Sequence, residues 1–436
     1  MAVNLLSDIS RISPPEIREV LLVDIFKEFH KDNYKFVKKA SLMQIGQFIF
    51  SLRGGKVPQF LLEIYSSLAD TKKTDDEDLI YHCAYTFPAV LLTIGKDEWP
   101  VLRDVYKNLI KKDSLRIMTI MAASIHEVAK IVGSEIAVTE LDPIAKYYLK
   151  NKLTLSAILK NLHEFLAVLE MKQRLDYLPI IQAIIERSEY NWKQREIFAL
   201  NSGSYAKLFD IEKVYRIILP IAYTLLEDNV IQVRIKACQE FINIAMQLKP
   251  IPEYFNEVIS HLHKLFASVS FRDRQSFVQA CEGFMLYEQI FVQHFLTQFL
   301  VLQKDKVVNV RVTLAKVLNN HMKISGVLAS NVHIIRTIEL LKSDSSAEVR
   351  ENVTEASKEW DKMNETTISK QEELEKVKDQ EELEKVKEDA GATIDLRVSN
   401  DEESSEELKR QEVEKRVRVT LKIDELEEPI KNLIDP

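Results

Sequence analysis

Five arginines recur along this chain at a nearly constant interval: Arg195, Arg234, Arg272, Arg311 and Arg350 follow one another after 39, 38, 39 and 39 residues. Each stands near the start of an amphipathic helical pattern. A period of this length accommodates two helices and a turn, and such units bury their apolar faces only against their neighbours along an axis. The repeat therefore removes the size ceiling of a single compact core, so 436 residues need not be divided among several globular domains. Only 9 glycines and 12 prolines occur and strand-like alternation is nearly absent, so a sheet is not expected.

Residues 211–248 show the grammar most clearly. Val214, Ile217, Ile218, Ile221, Ala222 and Leu225 form one apolar stripe at spacings of three and four. Pro220 interrupts that stripe and is expected to bend the first helix. Glu227, Asp228 and Asn229 then make a turn, where Asp228 or Asn229 can cap a second helix carrying Val233, Ala237, Phe241, Ile244 and Ala245 on its buried face. A turn this short makes the two helices antiparallel. Asp305 stands six residues before Arg311 and Asp344 six before Arg350, as Asp228 stands before Arg234. Counting stripes upstream, where the arginine is lost, gives about nine helix pairs, near 15–53, 56–95, 97–133, 137–170, 174–208, 211–248, 253–286, 288–322 and 325–361. The expected fold is all-α, a HEAT-type α-solenoid over residues 1–361.

Charge divides the chain at the same place. From Lys362 onward there are 14 basic and 23 acidic residues, against 45 and 44 before it. The segment Gln371–Asp379 is repeated almost letter for letter as Gln380–Glu388. A nine-residue repeat is neither a heptad nor an eleven-residue period, so no sustained coiled-coil seam is expected. Residues 362–436 are read as a disordered acidic tail, with Ser399, Ser404 and Ser405 placed among acidic residues as kinase substrates would be.

No run of about 18 apolar residues and no cleavable apolar N-terminal segment occurs, so neither membrane insertion nor secretion is expected. The expected compartment is the cytoplasm, with the nucleus as a second location. Cys83, Cys238 and Cys281 are far apart on helical patterns and are read as buried thiols. Catalytic and cofactor motifs are missing: there is no glycine-rich phosphate loop, no nucleophile elbow and no helical His-Glu-x-x-His. His261 and His263, two apart, point to different helix faces, and His126-Glu127 and His163-Glu164 mark one position in successive repeats. Arg53-Gly54-Gly55 is read as a helix stop. An isoelectric point near 5.8 with no basic face argues against nucleic acid as a partner. The sequence thus points to a non-enzyme without cofactors or metal, whose working surface binds proteins.

The arginine ladder is expected to be structural, each guanidinium bonding an aspartate in a neighbouring turn. Trp192, beside Lys193 at the start of a helix, is expected to fill the core, with an exposed partner anchor as the alternative; Trp99 carries the same ambiguity.

Three patches carry a family resemblance: Asn161-Leu-His-Glu-Phe-Leu-Ala-Val-Leu169, Asn191-Trp-Lys-Gln-Arg-Glu196, and Tyr215–Leu225 with its Leu219-Pro220-Ile221-Ala222 centre, followed by Val233-Arg234. In order and spacing they resemble the HEAT repeats of the protein phosphatase 4 regulatory subunit 1 family, over about residues 100–325. More distantly the chain is similar to the scaffold subunit of protein phosphatase 2A. The resemblance implies a noncatalytic subunit that binds a serine/threonine phosphatase catalytic subunit and directs it to substrate proteins. It also implies that the catalytic subunit sits along the ridge of intra-repeat turns, which here includes Asp228, Asn229, Asp305, Lys306 and Asp344. The alternative is a HEAT adaptor for transport or microtubules, and a tubulin-binding edge would show exposed tryptophan among basic residues.

Overall fold

The computed structural model describes residues 2–70, 74–188, 191–322 and 331–353. The chain separates into residues 1–361 and 362–436. The second segment, where the acidic tail is expected, lies outside the described residues, as do Ser399, Ser404 and Ser405. Every regular element among the described residues is helical. None of these helices is long and apolar enough to cross a membrane.

The helices pair as the repeat requires. Pro252–Ala267 and Phe271–Phe284 form one such pair, joined by three residues, and Leu219–Leu226 and Ile231–Leu248 form the pair before it. The second helices pack in an unbroken row: Lys35–Ser51, Glu77–Ile94, Leu115–Val132, Leu155–Leu159 with Leu162–Val168, Trp192–Ala206, Ile231–Leu248, Phe271–Phe284 and Val308–Met322. Gly203 lets two of them close up. A Cβ there would come within 2.5 Å of Glu240 Oε2 and 2.8 Å of Asn243 Cβ on the next helix. One helix lies outside the nine expected pairs. Ala2–Ile12 packs on Lys35–Ser51 as each second helix packs on the next, and its Ser10 hydroxyl accepts a bond from Ser51 Oγ at 2.7 Å.

The helix that holds Pro220 is not α-helical throughout. The turn before it, Val214–Ile218, is π-helical, and the proline stands in the first turn of Leu219–Leu226. Pro143 follows the π-helical stretch Ala137–Leu141 in the same way. A proline lacks its amide donor and collides with the carbonyl four residues back, and a widened turn removes the conflict. Gly54, at φ +90°, ends its helix as expected.

The core is a continuous apolar seam between these layers. Trp99 is buried, its ring tilted against Tyr106 and edge-on to Phe87, and its Nε1 donates to Glu140 Oε1 at 3.2 Å. The three cysteines are buried free thiols, and burial pushes Cys83 and Cys238 up to about 12.

Trp99→Ala should cost about 3–5 kcal/mol, the usual range for emptying a buried aromatic site. Trp192→Ala, at a 37% exposed position, should cost less than about 1 kcal/mol. Denaturant titrations of the two variants followed by circular dichroism check the contrast.

Candidate protein-binding ridge

Three intra-repeat turns are built to one plan. In each, an aspartate folds its side chain back on the amide two residues ahead: Asp228 Oδ1 accepts from Val230, Asp305 Oδ1 from Val307 and Asp344 Oδ1 from Ser346, all at 2.8 Å. The same carboxylate takes both forks of an arginine on the preceding second helix. Arg195 Nε and Nη2 donate to Asp228 at 2.5 and 3.1 Å, Arg274 to Asp305 at 2.5 and 3.0 Å, and Arg311 to Asp344 at 2.7 and 3.0 Å. The aspartate's own carbonyl then accepts from the arginine of its own repeat: Asp228 from Arg234, Asp305 from Arg311, and Asp344 from Arg350. Each turn is therefore tied to the repeat before it and to the helix after it.

One expected rung is displaced by two residues. Arg272 is exposed, and its Nη1 reaches back to Asn229 Oδ1 at 3.4 Å. Arg274 makes the rung instead, buried and donating also to the carbonyls of Ser268 and Val269. Residues two apart on a helix point about 200° from each other, so only one of the pair can face the turn. Arg234 is buried too, yet among the described residues its guanidinium donates only to the carbonyls of Asp228 and Asn229. Burial, then the nearby Arg272, holds its pKa below the ordinary value.

The ladder uses up the acidic candidates of the ridge. The side chains of Asp228, Asp305 and Asp344 are only 5, 5 and 9% exposed, with their oxygens committed to arginine and amide. The three aspartates shape the turns, and Asn229 and Lys306 beside them face outward. Trp192 lies at the surface, contrary to its expected burial, with Lys193 Nζ 5.9 Å from its ring centre. It begins its helix, and there the core-facing positions fall to Gln194, Phe198 and Ala199.

Apolar residues complete the ridge, and of them the sequence reading singled out only Trp192. Leu115, Trp192, Ile231 and Val308 are each the first residue of a second helix and each is exposed. Val269, in the turn before Phe271–Phe284, is 95% exposed. A signal for Ile231 and Val308 was available, since each precedes a ladder arginine by three residues, as Trp192 does. Beside Asn229 a cleft of about 710 Å³ opens, lined by Gln182, Ile185, Pro220, Ile221, Tyr223 and Thr224 among others. The ridge thus presents exposed apolar side chains, two of them, Ile231 and Val308, after turns whose aspartates are internally satisfied, and apolar patches with few free charges suit protein contact.

Elsewhere the structure gathers His126, Glu127 and Glu164. His126 Nε2 lies 3.0 Å from Glu127 Oε1 and 3.4 Å from Glu164 Oε2, and Lys130 Nζ closes the cluster at 2.5 Å from Glu164. These ligand atoms are within a metal ion's reach of one another. The lysine already supplies the cation, so the cluster is a bridge between successive second helices. Burial lowers the pKa of His126, and the bond from Lys130 lowers that of Glu164.

Helix pairs of this period, stacked through their second helices and pinned turn to turn by an Arg–Asp ladder, make the protein a HEAT-type helical-repeat protein. Residues 83–184 match the family described as protein phosphatase 4 regulatory subunit 1 middle domain. The rat serine/threonine-protein phosphatase 4 regulatory subunit 1 (Rattus norvegicus) is 32% identical over 311 residues, and the human protein (Homo sapiens) is 31% identical over the same length. Those stretches take in 67% of this chain and 33% of each relative, so the chain spans about one third of the length of the curated relatives it matches. The chain belongs to the protein phosphatase 4 regulatory subunit 1 family.

The rungs carry a pH dependence. The bond from Arg311 holds the Asp344 carboxyl below its ordinary range. At Asp305 burial pushes upward, but the bond from Arg274, the Val307 amide and the charges of Arg274 and Arg311 together outweigh it. A carboxyl depressed in the folded state contributes stability that is complete above its unfolded pKa, about 3.9, and disappears as pH falls through the folded value. Asp344→Asn should cost about 1.5–3 kcal/mol at pH 7 and progressively less as the pH drops below about 4. Thermal melts of parent and variant between pH 7 and 2 should converge at the acid end; a constant gap would contradict the assignment.

Proposed function

We propose that this chain is a noncatalytic regulatory and scaffold subunit that binds the catalytic subunit of a serine/threonine phosphatase of the phosphatase 4 kind and directs it to substrate proteins. The observation that carries this reading is the row of exposed apolar residues, Leu115, Trp192, Ile231, Val269 and Val308, of which Ile231 and Val308 follow turns whose aspartates are already paired. Such a surface offers a partner contact area without the desolvation of free charges. Trp192 with Lys193, Asn229 with the cleft beside it, and Lys306 are the residues we assign to contact. The printed name of the rat and human relatives, a phosphatase regulatory subunit, supports the choice of partner. The chain contributes no catalytic group in this reading, and we place it in the cytoplasm and the nucleus. The microtubule alternative is less well supported, because Trp99, one of the two tryptophans it would use, is buried.

The purified chain should show no phosphatase activity alone and should recover a phosphatase catalytic subunit from an extract of its own cells, identified by mass spectrometry. Trp192→Ala combined with Val269→Asp should weaken that capture at least about tenfold, as loss of an interface anchor does, with an unchanged melting temperature. Recovery of tubulin or transport factors in place of a phosphatase defeats the proposal.

A further inference from the structure

The ladder has one vacant rung. The turns at Asp228, Asp305 and Asp344 each carry a carboxylate six residues before the arginine of their own repeat, and the same register in the intervening repeat, six before Arg274, is held by Ser268. The serine copies half of the aspartate's work. Its Oγ accepts from the Ser270 amide at 3.1 Å, where the aspartates accept from the amide two residues ahead, and its carbonyl accepts from Arg274 at 2.9 Å. What it lacks is the second oxygen and the negative charge. The arginine that would use them is Arg234, which is 4% exposed and stands 39 residues after Arg195 and 40 before Arg274. Its Nη1 is bonded to carbonyls like those of its counterparts. The Nε and Nη2 fork, which in Arg195, Arg274 and Arg311 grips the next turn, meets no carboxylate among the described residues.

We propose that Ser268 is a phosphorylation site, and that the phosphoryl group completes the rung by binding the Arg234 fork together with Arg272. A protein kinase would transfer the γ-phosphoryl of a nucleoside triphosphate: the Ser268 Oγ–P bond forms, the bond to the β,γ-bridging oxygen breaks, the hydroxyl proton passes to the kinase base, and the nucleoside diphosphate leaves. Phosphoserine reaches one bond further than aspartate and offers three acceptor oxygens with a charge of about −1.5 to −2. Two guanidiniums stand ready for it. Arg272, left out of the ladder, directs its Nη1 to Asn229 in the same turn whose carbonyl holds Arg234. The opposing group is Asp273, which accepts the Ser268 and Ser270 hydroxyls in the unmodified chain and would lose the first of them. Two cations against one anion favour the phosphate.

Other features single out this serine and this ligand. The turn is open to an enzyme, since Val269 is 95% exposed and the Ser268 hydroxyl is held only by contacts within residues 268–273. Ser188 occupies a comparable turn, but the preceding second helix has Ser156, not arginine, 39 residues before Arg195, so nothing waits for a charge there. A partner's carboxylate is a poorer occupant of the rung than a group on Ser268, because Arg234 is buried beneath its own turn. The inference stands whether or not the partner is a phosphatase.

The test uses the full chain with phosphoserine installed at position 268 during translation. Relative to unmodified chain its melting temperature should rise by about 2–5 °C, and Arg234→Gln should abolish that gain. Ser268→Asp should reproduce part of the rise with the same dependence on Arg234. Mass spectrometry of the chain isolated from its own cells with phosphatases inhibited should find the phosphate on Ser268. A melting temperature that is unchanged or lowered, a gain that survives Arg234→Gln, or phosphate confined to Ser270 overturns the proposal.

Discussion

A carboxylate shared between two repeats holds this structure in register. A helical repeat buries its apolar face against neighbours on both sides, and apolar contact alone resists sliding poorly because it has no direction. The aspartates at 228, 305 and 344 supply direction. Each fixes the turn that carries it, accepts a planar fork from the repeat before, and lends its carbonyl to the arginine of its own repeat. Bidentate arginine–carboxylate geometry tolerates little rotation, so one side chain sets both the turn's shape and its distance from the next turn. The exposed apolar row on the ridge depends on that spacing.

Much of this was legible in the sequence, because helical periodicity and the arginine interval are local signals. What escaped shows where locality ends. The slip from Arg272 to Arg274 arose because both residues satisfy the period within one or two positions, and only the facing turn decides between them. Trp192 was expected inside because its bulk suits a core, yet the first residue of a second helix lies where the chain leaves the turn. The helix Ala2–Ile12 was passed over because its polar residues hide the stripe that buries Val3 and Leu6. The effect of Pro220 was placed at the right residue as a bend, and what the residues did not reveal is the widened turn that accommodates the missing donor.

The aspartates of the turns illustrate a wider point about charged residues on repeat proteins. A periodic acidic residue in a turn reads equally as a partner contact or as a brace, and its sequence cannot distinguish the two. Burial and partners can. With those carboxylates engaged, Asn229, Lys306 and Val269 are the side chains these turns leave exposed. The helical row that carries them is cross-tied elsewhere by Lys130 and Glu164 and by the stacked rings of Tyr215 and Tyr254, whose hydroxyls each donate to a glutamate of the other's repeat.

Viewed as a spring, a stack of repeats yields first at its softest coil. Most junctions along the described ladder are stitched by a guanidinium fork, and the one between Ile231–Leu248 and Phe271–Phe284 is not. Within the stretch from Trp192 to Asp344 it is the junction with the least directional bracing, a missing rivet in an otherwise riveted row. A single residue, Ser268, thereby sets that junction apart from its neighbours, at a turn outside the apolar core.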